Sequence, residues 1–259
     1  MRILVFDSGL GGLTVHRHIR LALPEADYVY LADDAVFPYG ALGEDALVAR
    51  VLDVLLPVVA REAPEVVVIA CNTASTLVLP PLRERLRIPV VGTVPAIKPA
   101  AVQSRSRMIS VLATPGTVKR DYTRALIDEF AADCEVALRG APRLAELAEA
   151  ALHGRPVSDA AIAGELSGVF VEKEGRRTDT VVLACTHYPL LLDRLEALAP
   201  WPVTWIDPAP AIARRVVDLV GRPSGHGKAA AGRALFTSGR APEPALAAAL
   251  AQVGLVSVR

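Results

Sequence analysis

The sequence has few of the residues that most often build metal sites and covalent cross-links. It contains three cysteines, Cys71, Cys134 and Cys185, and no two of them form a CxxC pair. Only Cys185 has a histidine close by in the chain, so the ligand spacing typical of zinc sites is absent. In a reducing compartment, isolated cysteines stay free thiols. We therefore expect no bound metal and no disulfide, and a chain of 259 residues is long enough to bury a core without them.

The chain also lacks a long apolar run and an excess of charge of either sign. The apolar segment 46–60 is interrupted by Arg50, Asp53 and Pro57, so it predicts an amphipathic helix rather than a membrane span. Met1 leads directly into a strand-like run without the pattern of a signal peptide. The 28 basic and 28 acidic side chains balance, which disfavours nucleic acid and anionic membranes as partners. We expect a cytoplasmic protein that acts on a small molecule.

Signatures of the common cofactors are missing as well. Gly9, Gly11 and Gly12 follow the first predicted strand, but Thr14 stands where the dinucleotide fingerprint has its last glycine. There is no GxxxxGK[ST] phosphate loop, and no lysine stands at a strand end where it would form a Schiff base with pyridoxal phosphate. The sequence therefore predicts chemistry without a cofactor. The glycine turn itself, with Ser8 beside it, suits a small carboxylate.

Short runs rich in valine, isoleucine and leucine alternate along the chain with longer segments of helical period. This alternation is typical of parallel sheets that are covered by helices on both faces, so we predict an α/β fold. In such sheets, ligands bind beyond the carboxyl ends of the strands. The predicted strands are 2–6, 28–32, 66–70, 89–92, 108–113, 134–138, 180–184, 203–206 and 233–237.

Two of these strands run into nearly the same sequence. VVVIACNTAS at 66–75 and TVVLACTHYP at 180–189 align so that Cys71 pairs with Cys185, and a shared Pro-Ala-Ile recurs at nearly the same spacing. The repeat predicts two pseudo-symmetric α/β lobes with mainly parallel sheets and an active site in the cleft between them. The predicted lobes are 1–92 together with 207–259, and 93–206.

Polar side chains follow both repeated cysteines. A lone cysteine is usually a small core residue, and that interpretation suits Cys134. A core position has no need of the hydrogen-bonding side chains that follow the other two. A helix that began at such a cysteine would lower its thiol pKa from about 8.5 and prepare it for proton or nucleophilic chemistry. The polar followers are Asn72, Thr73 and Ser75 after Cys71, and Thr186, His187 and Tyr188 after Cys185.

Three kinds of thiol chemistry fit this pattern unequally. A cysteine phosphatase needs a Cys-x5-Arg loop, but Leu77 and Leu191 stand where the arginine would be. An acyl-transfer enzyme uses one cysteine and one histidine, which leaves the second cysteine without a role. Two thiols facing each other across a cleft suit a reaction that takes a proton from one face of a carbon and adds one to the other. The pair therefore favours stereoinversion by proton exchange.

The motifs FDSGLGG, PYG, ACNTAS, GTVPAIKPA and ACTHYPL, in this order and spacing, closely resemble those of the cofactor-independent glutamate racemases of the aspartate/glutamate racemase superfamily. The resemblance implies an isomerase that interconverts L- and D-glutamate by two-base proton transfer at Cα and supplies D-glutamate for peptidoglycan synthesis. It implies that Cys71 acts on the D-enantiomer and Cys185 on the L-enantiomer. Asp7 and His187 would assist the two thiols. A homodimer is the expected assembly.

The resemblance also implies which residues hold the substrate. Thr114 and Thr117 would form a further binding loop in the second lobe. Glu149 would match a family glutamate that reaches towards the substrate ammonium, although the stretch around it lacks the family's Cys-Pro and Phe-Val-Pro pattern. The implied binding residues are Asp7, Ser8, Tyr39, Gly40, Asn72, Thr73, Thr186 and His187.

Two alternatives stay open at this point. The first is a racemase for aspartate or for acidic amino acids more broadly, because a difference of one methylene in the pocket is worth only ~1 to 3 kcal/mol. The second, from another class, is a two-lobed small-molecule binding protein. Such a protein has no use for paired thiols and is usually exported, which the missing signal peptide disfavours.

Overall fold

The computed structural model describes residues 1–221 and 231–258. Every predicted strand is present, with each end within two residues of its predicted position. The structure adds a short hairpin and a last strand, whose two or three residues carry too little pattern to be recognised in the sequence. The strands are β1 (Arg2–Asp7), β2 (Asp27–Ala32), β3 (Val66–Ile69), β4 (Val90–Gly92), β5 (Met108–Ala113), β6 (Glu135–Gly140), β7 (Glu172–Lys173), β8 (Arg176–Arg177), β9 (Thr180–Ala184), β10 (Thr204–Ile206), β11 (Gly232–Phe236) and β12 (Leu255–Ser257).

Helices connect most of the strands. The predicted amphipathic helix over 46–60 is confirmed as part of a longer helix that has Pro57 in its interior. No helix in the two described ranges is long and apolar enough to span a bilayer. Single turns of 3-10 helix lie at Tyr39–Ala41 and Tyr188–Leu191. The α-helices are α1 (Leu13–Ala22), α2 (Glu44–Glu62), α3 (Asn72–Arg85), α4 (Ile97–Gln103), α5 (Pro115–Lys119), α6 (Asp121–Phe130), α7 (Leu144–Leu152), α8 (Asp159–Glu165), α9 (Leu192–Leu198), α10 (Ala209–Val220) and α11 (Pro244–Gln252).

The strands form two parallel sheets and one small antiparallel hairpin. The first sheet has the order β12-β11-β2-β1-β3-β4, and the second has the order β10-β9-β5-β6. All pairs within these two sheets are parallel, whereas β7 and β8 pair antiparallel. The predicted α/β class with mainly parallel sheets is therefore confirmed. The central strands read as unbroken apolar runs because both of their faces are buried.

Each sheet has an apolar core on both faces. Helices α1, α10 and α11 cover one face of the first sheet, and α2 and α3 cover the other. In the second sheet, α7, α8 and α9 pack on one face and α4 and α6 on the other. The strands of the first sheet come from residues 2–92 and 232–257, and those of the second from 108–206. The lobe boundaries given above stay a prediction that is compatible with this division.

The two sheets share a strand order that explains the repeated sequence. The order β2-β1-β3-β4 in the first sheet corresponds to β6-β5-β9-β10 in the second. Ile3 pairs with Val66 in the first sheet, and Ile109 pairs with Thr180 in the second. Cys71 and Cys185 follow Val66 and Thr180 at the same distance along the chain, so they occupy equivalent positions at the carboxyl ends of equivalent strands.

His16 is an unusual member of the core beneath β2. It lies on α1, is fully buried, and packs edge-on against Tyr28 and Tyr30 with ring centroids 4.9 and 6.2 Å away. Neither ring nitrogen has a hydrogen-bond partner among the described residues. Burial, with a smaller contribution from Arg20, lowers the pKa of His16 to about 3. The histidine is therefore neutral in the fold, and its two buried nitrogens cost stability.

Replacing His16 with phenylalanine keeps an aromatic ring against both tyrosines and removes the two unpaired nitrogens. We expect the free energy of unfolding to rise by about 1 kcal/mol at about pH 8. The gain grows as the pH falls below about 6.5, because unfolded His16 then takes up a proton that the folded side chain does not bind until about pH 3. Urea titrations of both proteins at about pH 8 and about pH 5 measure this. An equal difference at the two pH values contradicts the expectation.

Candidate active site

The carboxyl ends of the central strands bring residues of both sheets to one place. β1 ends at Asp7 and β3 leads into Cys71, while β5 leads into Thr114 and β9 into Cys185. The Cys185 thiol lies near enough to Cys71 to influence its ionisation. The glycine turn after β1 meets the polar turn after β9 directly. The amide nitrogen of Gly11 lies 3.1 Å from Nε2 of His187 in this contact. Two further contacts join the first sheet's loops to the second lobe: the Leu10 amide donates to Glu149 on α7 at 2.7 Å, and the hydroxyls of Thr73 and Thr114 lie 3.0 Å apart.

The Cys71 thiol is buried immediately before α3. Its sulfur accepts a hydrogen bond from the amide of Ala74 at 3.5 Å and lies 3.5 Å from the Ser8 hydroxyl. Burial raises the pKa of Cys71 to about 12, and the Asp7 carboxylate adds to this increase. The prediction that a helix start would lower the thiol pKa is therefore wrong for Cys71, because desolvation outweighs the helix amides. Cys71 holds its proton at neutral pH.

A chain of polar contacts leads away from the second thiol. The Cys185 sulfur lies 3.8 Å from Nδ1 of His187, and Nε2 of the same ring lies 2.9 Å from Oε1 of Glu149. Burial opposes protonation of His187, but its contacts with Cys185 and Glu149 outweigh this and raise its pKa well above the usual value. Burial likewise opposes ionisation of Glu149, but its bonds with His187 and with the Leu10 amide lower its pKa. A protonated imidazole therefore lies between a thiol and a carboxylate.

Nε2 of His187 has two polar neighbours that make opposite demands. The Gly11 amide nitrogen, at 3.1 Å, would need Nε2 to be an acceptor, whereas the Glu149 carboxylate, at 2.9 Å, needs it to be a donor. Because Glu149 is ionised and His187 carries a raised pKa, the proton is on Nε2 and the bond to Glu149 prevails. The helix start considered for each cysteine in the sequence does not follow Cys185 directly, since the 3-10 turn starts only at Tyr188.

Asp7 is fully buried at the end of β1, beside the first thiol. Its Oδ2 accepts the Gly12 amide at 2.9 Å and lies 3.5 Å from the Tyr30 hydroxyl. Its Oδ1 has no hydrogen-bond partner in the part of the chain that the structure describes. Burial raises the pKa of Asp7, while the charge of His187 opposes this change. A buried carboxylate oxygen without a partner is suited to receive an ammonium group.

Other unpaired polar atoms lie at the start of α3 and across from it. Asn72 is buried, and within the described ranges neither atom of its side-chain amide has a partner. The hydroxyls of Thr73, Thr114 and Thr117 lie 3.0 to 3.3 Å from one another, which joins the two lobes. Three hydroxyls carry more lone pairs than protons, so the cluster retains capacity for a ligand. Amide and hydroxyl groups in this arrangement suit the carboxylates of a small acid.

The phenol of Tyr39 is already engaged with the protein. Its hydroxyl donates to Asp33, a fully buried carboxylate that also accepts from Arg50 at 2.6 and 2.8 Å and from Thr237 at 2.6 Å. The phenol proton of Tyr39 is therefore not free for a ligand, and the backbone of this segment is the part that remains available. Gly40 is held close to the second lobe, where a Cβ would lie 3.3 Å from Cβ of Thr114.

Three residues of this region carry no sequence signal that singles them out. Tyr30 reads as one more apolar position of β2, and Asp33 as turn chemistry. Phe37 packs over His187 with ring centroids 5.3 Å apart, yet its stretch has no pattern of its own. The structure also brings Glu149 into the site although the family pattern around it is absent. Packing between distant segments, rather than a local sequence motif, places these three side chains and Glu149 in this region.

The fold and the paired thiols define a two-lobed α/β protein equipped for proton exchange at a carbon centre. The sequence profile of the Asp/Glu/Hydantoin racemase family matches residues 14–216. The chain belongs to that family.

Individual proteins of known name are also similar to this chain over most of its length. A glutamate racemase of Mesorhizobium japonicum is 54% identical over 242 residues, which is 92% of each chain. One of Brucella canis is 56% identical over 219 residues, which is 84% of this chain and 79% of the relative. Among solved structures, an Escherichia coli glutamate racemase in complex with L-glutamate and the activator UDP-MurNAc-Ala superposes with a TM-score of 0.89 at 41% identity, covering 99% of this chain and 97% of that one.

Close contact between the lobes predicts that the glycine turn tolerates no side chain. In a Gly11→Ala variant the new Cβ would lie 2.6 Å from the backbone nitrogen of His187, so the turn or the histidine must move. We expect catalytic activity to fall about a hundredfold, as misplacement by an ångström can cause. Gly43→Ala is the matched control, because a Cβ there meets nothing within 4 Å. Wild-type activity in Gly11→Ala, or an equal loss in Gly43→Ala, contradicts the prediction.

Proposed function

We propose that this chain interconverts L-glutamate and D-glutamate by taking a proton from one face of Cα and adding one to the other. Its family makes it an amino-acid racemase, an isomerase, and the relatives at 54% and 56% identity are glutamate racemases. The observation that supports the two-base reaction is the pair of buried thiols at equivalent strand ends. Each thiol has its own polar partner, Ser8 for Cys71 and His187 for Cys185.

The two halves of the site suit complementary roles. In the L-to-D direction, the Cys185 sulfur takes the Cα proton of L-glutamate, and the Cys71 thiol gives its proton to the opposite face. The protonated His187 lies 3.8 Å from the Cys185 sulfur, and the raised pKa of Cys71 keeps a proton ready for delivery. In the D-to-L direction the same transfers run in reverse. Cys71 then removes the proton, with Asp7 as the nearby group that assists it.

The main obstacle is the weak acidity of a carbon next to a carboxylate. A thiolate is a far weaker base than the carbanion it generates, so fixed dipoles have to stabilise the developing negative charge in a site that excludes water. The unpaired amide of Asn72 and the hydroxyls of Thr73 and Thr114 are such dipoles. The ammonium of the substrate would bind Oδ1 of Asp7 and lower the cost of the carbanion further.

The substrate-binding set follows from these contacts. We infer that the Tyr39-Gly40 segment binds through its backbone, since the Tyr39 phenol donates to Asp33. Glu149 would act through His187 rather than on the substrate itself. The inferred binding residues are Asp7, Ser8, Tyr39, Gly40, Asn72, Thr73, Thr114, Thr117, Thr186 and His187.

Substituting each cysteine in turn tests the two-base reaction. In D2O without added cofactor, we expect the wild type to incorporate deuterium at Cα of L- and D-glutamate and to abolish the optical rotation of either. Cys71→Ala and Cys185→Ala should each lose net racemisation, because one face of Cα no longer has a proton donor or acceptor. Cys134→Ala, which removes a thiol outside the site, is the matched control and should behave as the wild type.

The possible outcomes separate the parts of the proposal. Full racemisation by Cys71→Ala or by Cys185→Ala rules out the two-base reaction. Faster turnover of L- and D-aspartate than of glutamate overturns the substrate but leaves the chemistry intact. Binding of glutamate with neither deuterium incorporation nor racemisation in the wild type would favour a binding protein.

The setting of this activity is part of the same proposal. We infer a cytoplasmic enzyme that supplies D-glutamate for peptidoglycan and works as a homodimer. Sedimentation equilibrium across a range of protein concentrations measures the assembly directly. A single species with the mass of one chain, 27.4 kDa, at every concentration contradicts the dimer.

A further inference from the structure

We propose that Tyr30 is a positioning residue for the Cys71 half of the reaction, because its buried hydroxyl lies within hydrogen-bond distance of both the glycine turn and the Asp7 carboxylate. The inference rests on the proposed function, in which Asp7 assists Cys71. Tyr30 itself touches neither the substrate nor the thiol in this role. It acts through Asp7.

The Tyr30 hydroxyl lies beneath the turn that follows β1. It is fully buried, 3.0 Å from the carbonyl oxygen of Gly9 and 3.5 Å from Oδ2 of Asp7. A phenol has one proton, so it donates to the carbonyl in one orientation and to the carboxylate in the other. The space above it is closed, since a Cβ on Gly12 would lie 3.0 Å from the hydroxyl and 2.9 Å from Cβ of Asp7.

The two carboxylate oxygens of Asp7 differ in their hydrogen-bond partners. Oδ2 lies between the Gly12 amide and the Tyr30 hydroxyl, whereas Oδ1 has no partner in the described residues. A carboxylate fixed through one oxygen presents the other in a defined direction. Without the phenol, Asp7 would keep backbone amides, those of Gly12 and Ser8, as its donors, and the Gly9 carbonyl would lose the phenol as its partner. The carboxylate would then rotate more freely beside Cys71.

Tyr30 is suited to this role because it remains a neutral donor. Burial raises its pKa well above the usual value, and the nearby carboxylates of Asp7 and Glu149 raise it further. The ring is fixed from below by His16, which packs edge-on against it. The hydroxyl therefore stays protonated and has little freedom to leave its position.

Tyr28 provides a matched control on the same strand. It is also fully buried and packs edge-on against His16, but its hydroxyl donates to the carbonyl of Leu23 at 2.8 Å, away from the thiols. Tyr28→Phe and Tyr30→Phe each remove one buried phenolic hydrogen bond. A general loss of packing or stability would affect both variants alike, while a loss of Asp7 positioning would affect only Tyr30→Phe.

The test compares the two directions of the reaction by isotope effects. Because the equilibrium mixture is the racemate, kcat/KM is the same in both directions and does not show which half is impaired. For Tyr30→Phe we expect kcat/KM to fall about tenfold, the size of one lost hydrogen bond to a charged group. Proton removal by Cys71 then limits the rate more strongly. The deuterium isotope effect on kcat/KM should rise with Cα-deuterated D-glutamate and fall with Cα-deuterated L-glutamate.

The pH profile is the second measurement. A hydrogen bond to a carboxylate favours its ionised form, so its loss raises the pKa of Asp7 further above the ordinary range. The acidic limb of kcat/KM should therefore move to higher pH in Tyr30→Phe. Tyr28→Phe should keep the wild-type isotope effects and the wild-type acidic limb, even if it unfolds at a lower denaturant concentration.

The outcomes distinguish this inference from the proposed function. If the wild type racemises glutamate but Tyr30→Phe keeps wild-type isotope effects and pH profile, or if Tyr28→Phe changes them equally, the positioning role is wrong and the function stands. If the wild type does not racemise glutamate, the function itself fails. Should Tyr30→Phe not fold, 3-fluorotyrosine at position 30 preserves the hydroxyl and makes it a stronger donor. The acidic limb should then move to lower pH, and an unchanged limb overturns the inference.

Discussion

The site depends on the close approach of a glycine-rich turn in the first lobe to a buried histidine in the second. Gly11 lies so near His187 that a single Cβ would overlap it, and Gly9 lies equally near Glu149 and Phe37. The amide of Leu10 thereby donates to Glu149, and the amide nitrogen of Gly11 lies 3.1 Å from Nε2 of His187. This contact brings two strand ends from separate sheets into one constellation, so glycine is required here for space rather than for an unusual backbone angle.

Burial disfavours charge on both sides of the cleft, but an ion pair overcomes this cost on one side only. Around Cys71, Asp7 and Tyr30 it disfavours charge, and each of these groups has a raised pKa. Around His187 and Glu149 it also disfavours charge, but two opposite charges in contact overcome the cost. Cys71 and Tyr30 therefore stay neutral on one side of the cleft, whereas His187 and Glu149 form an ionised pair on the other. Two lobes with the same strand order have thus acquired different electrostatic characters, which a reaction with two distinct faces requires.

Local pattern was enough to predict the strands, their parallel arrangement and the pairing of Cys71 with Cys185, because apolar runs and repeated boxes are properties of short segments. It failed where contacts between distant segments decide. The thiol pKa of Cys71 was expected to fall from a local helix start, but it rises because the whole cleft is buried. In the sequence, Tyr30 reads as an ordinary strand residue and Asp33 as an ordinary turn residue. Their partners come from other parts of the fold, so no window of sequence contains the reason for their importance.

The Asp33 carboxylate connects the site to strand β11. It receives the Tyr39 and Arg50 side chains on one side and Thr237 on the other, while Ser238 donates to the neighbouring Asp34. Thr237 follows β11 directly, and β11 pairs with β2. During synthesis the glycine turn, both thiols and the Tyr39-Gly40 segment all emerge before this strand exists. The contacts around Asp33 are therefore complete only after β11 has joined the sheet, and a chain that stops before β11 would carry both buried thiols without the strand that holds this carboxylate in place.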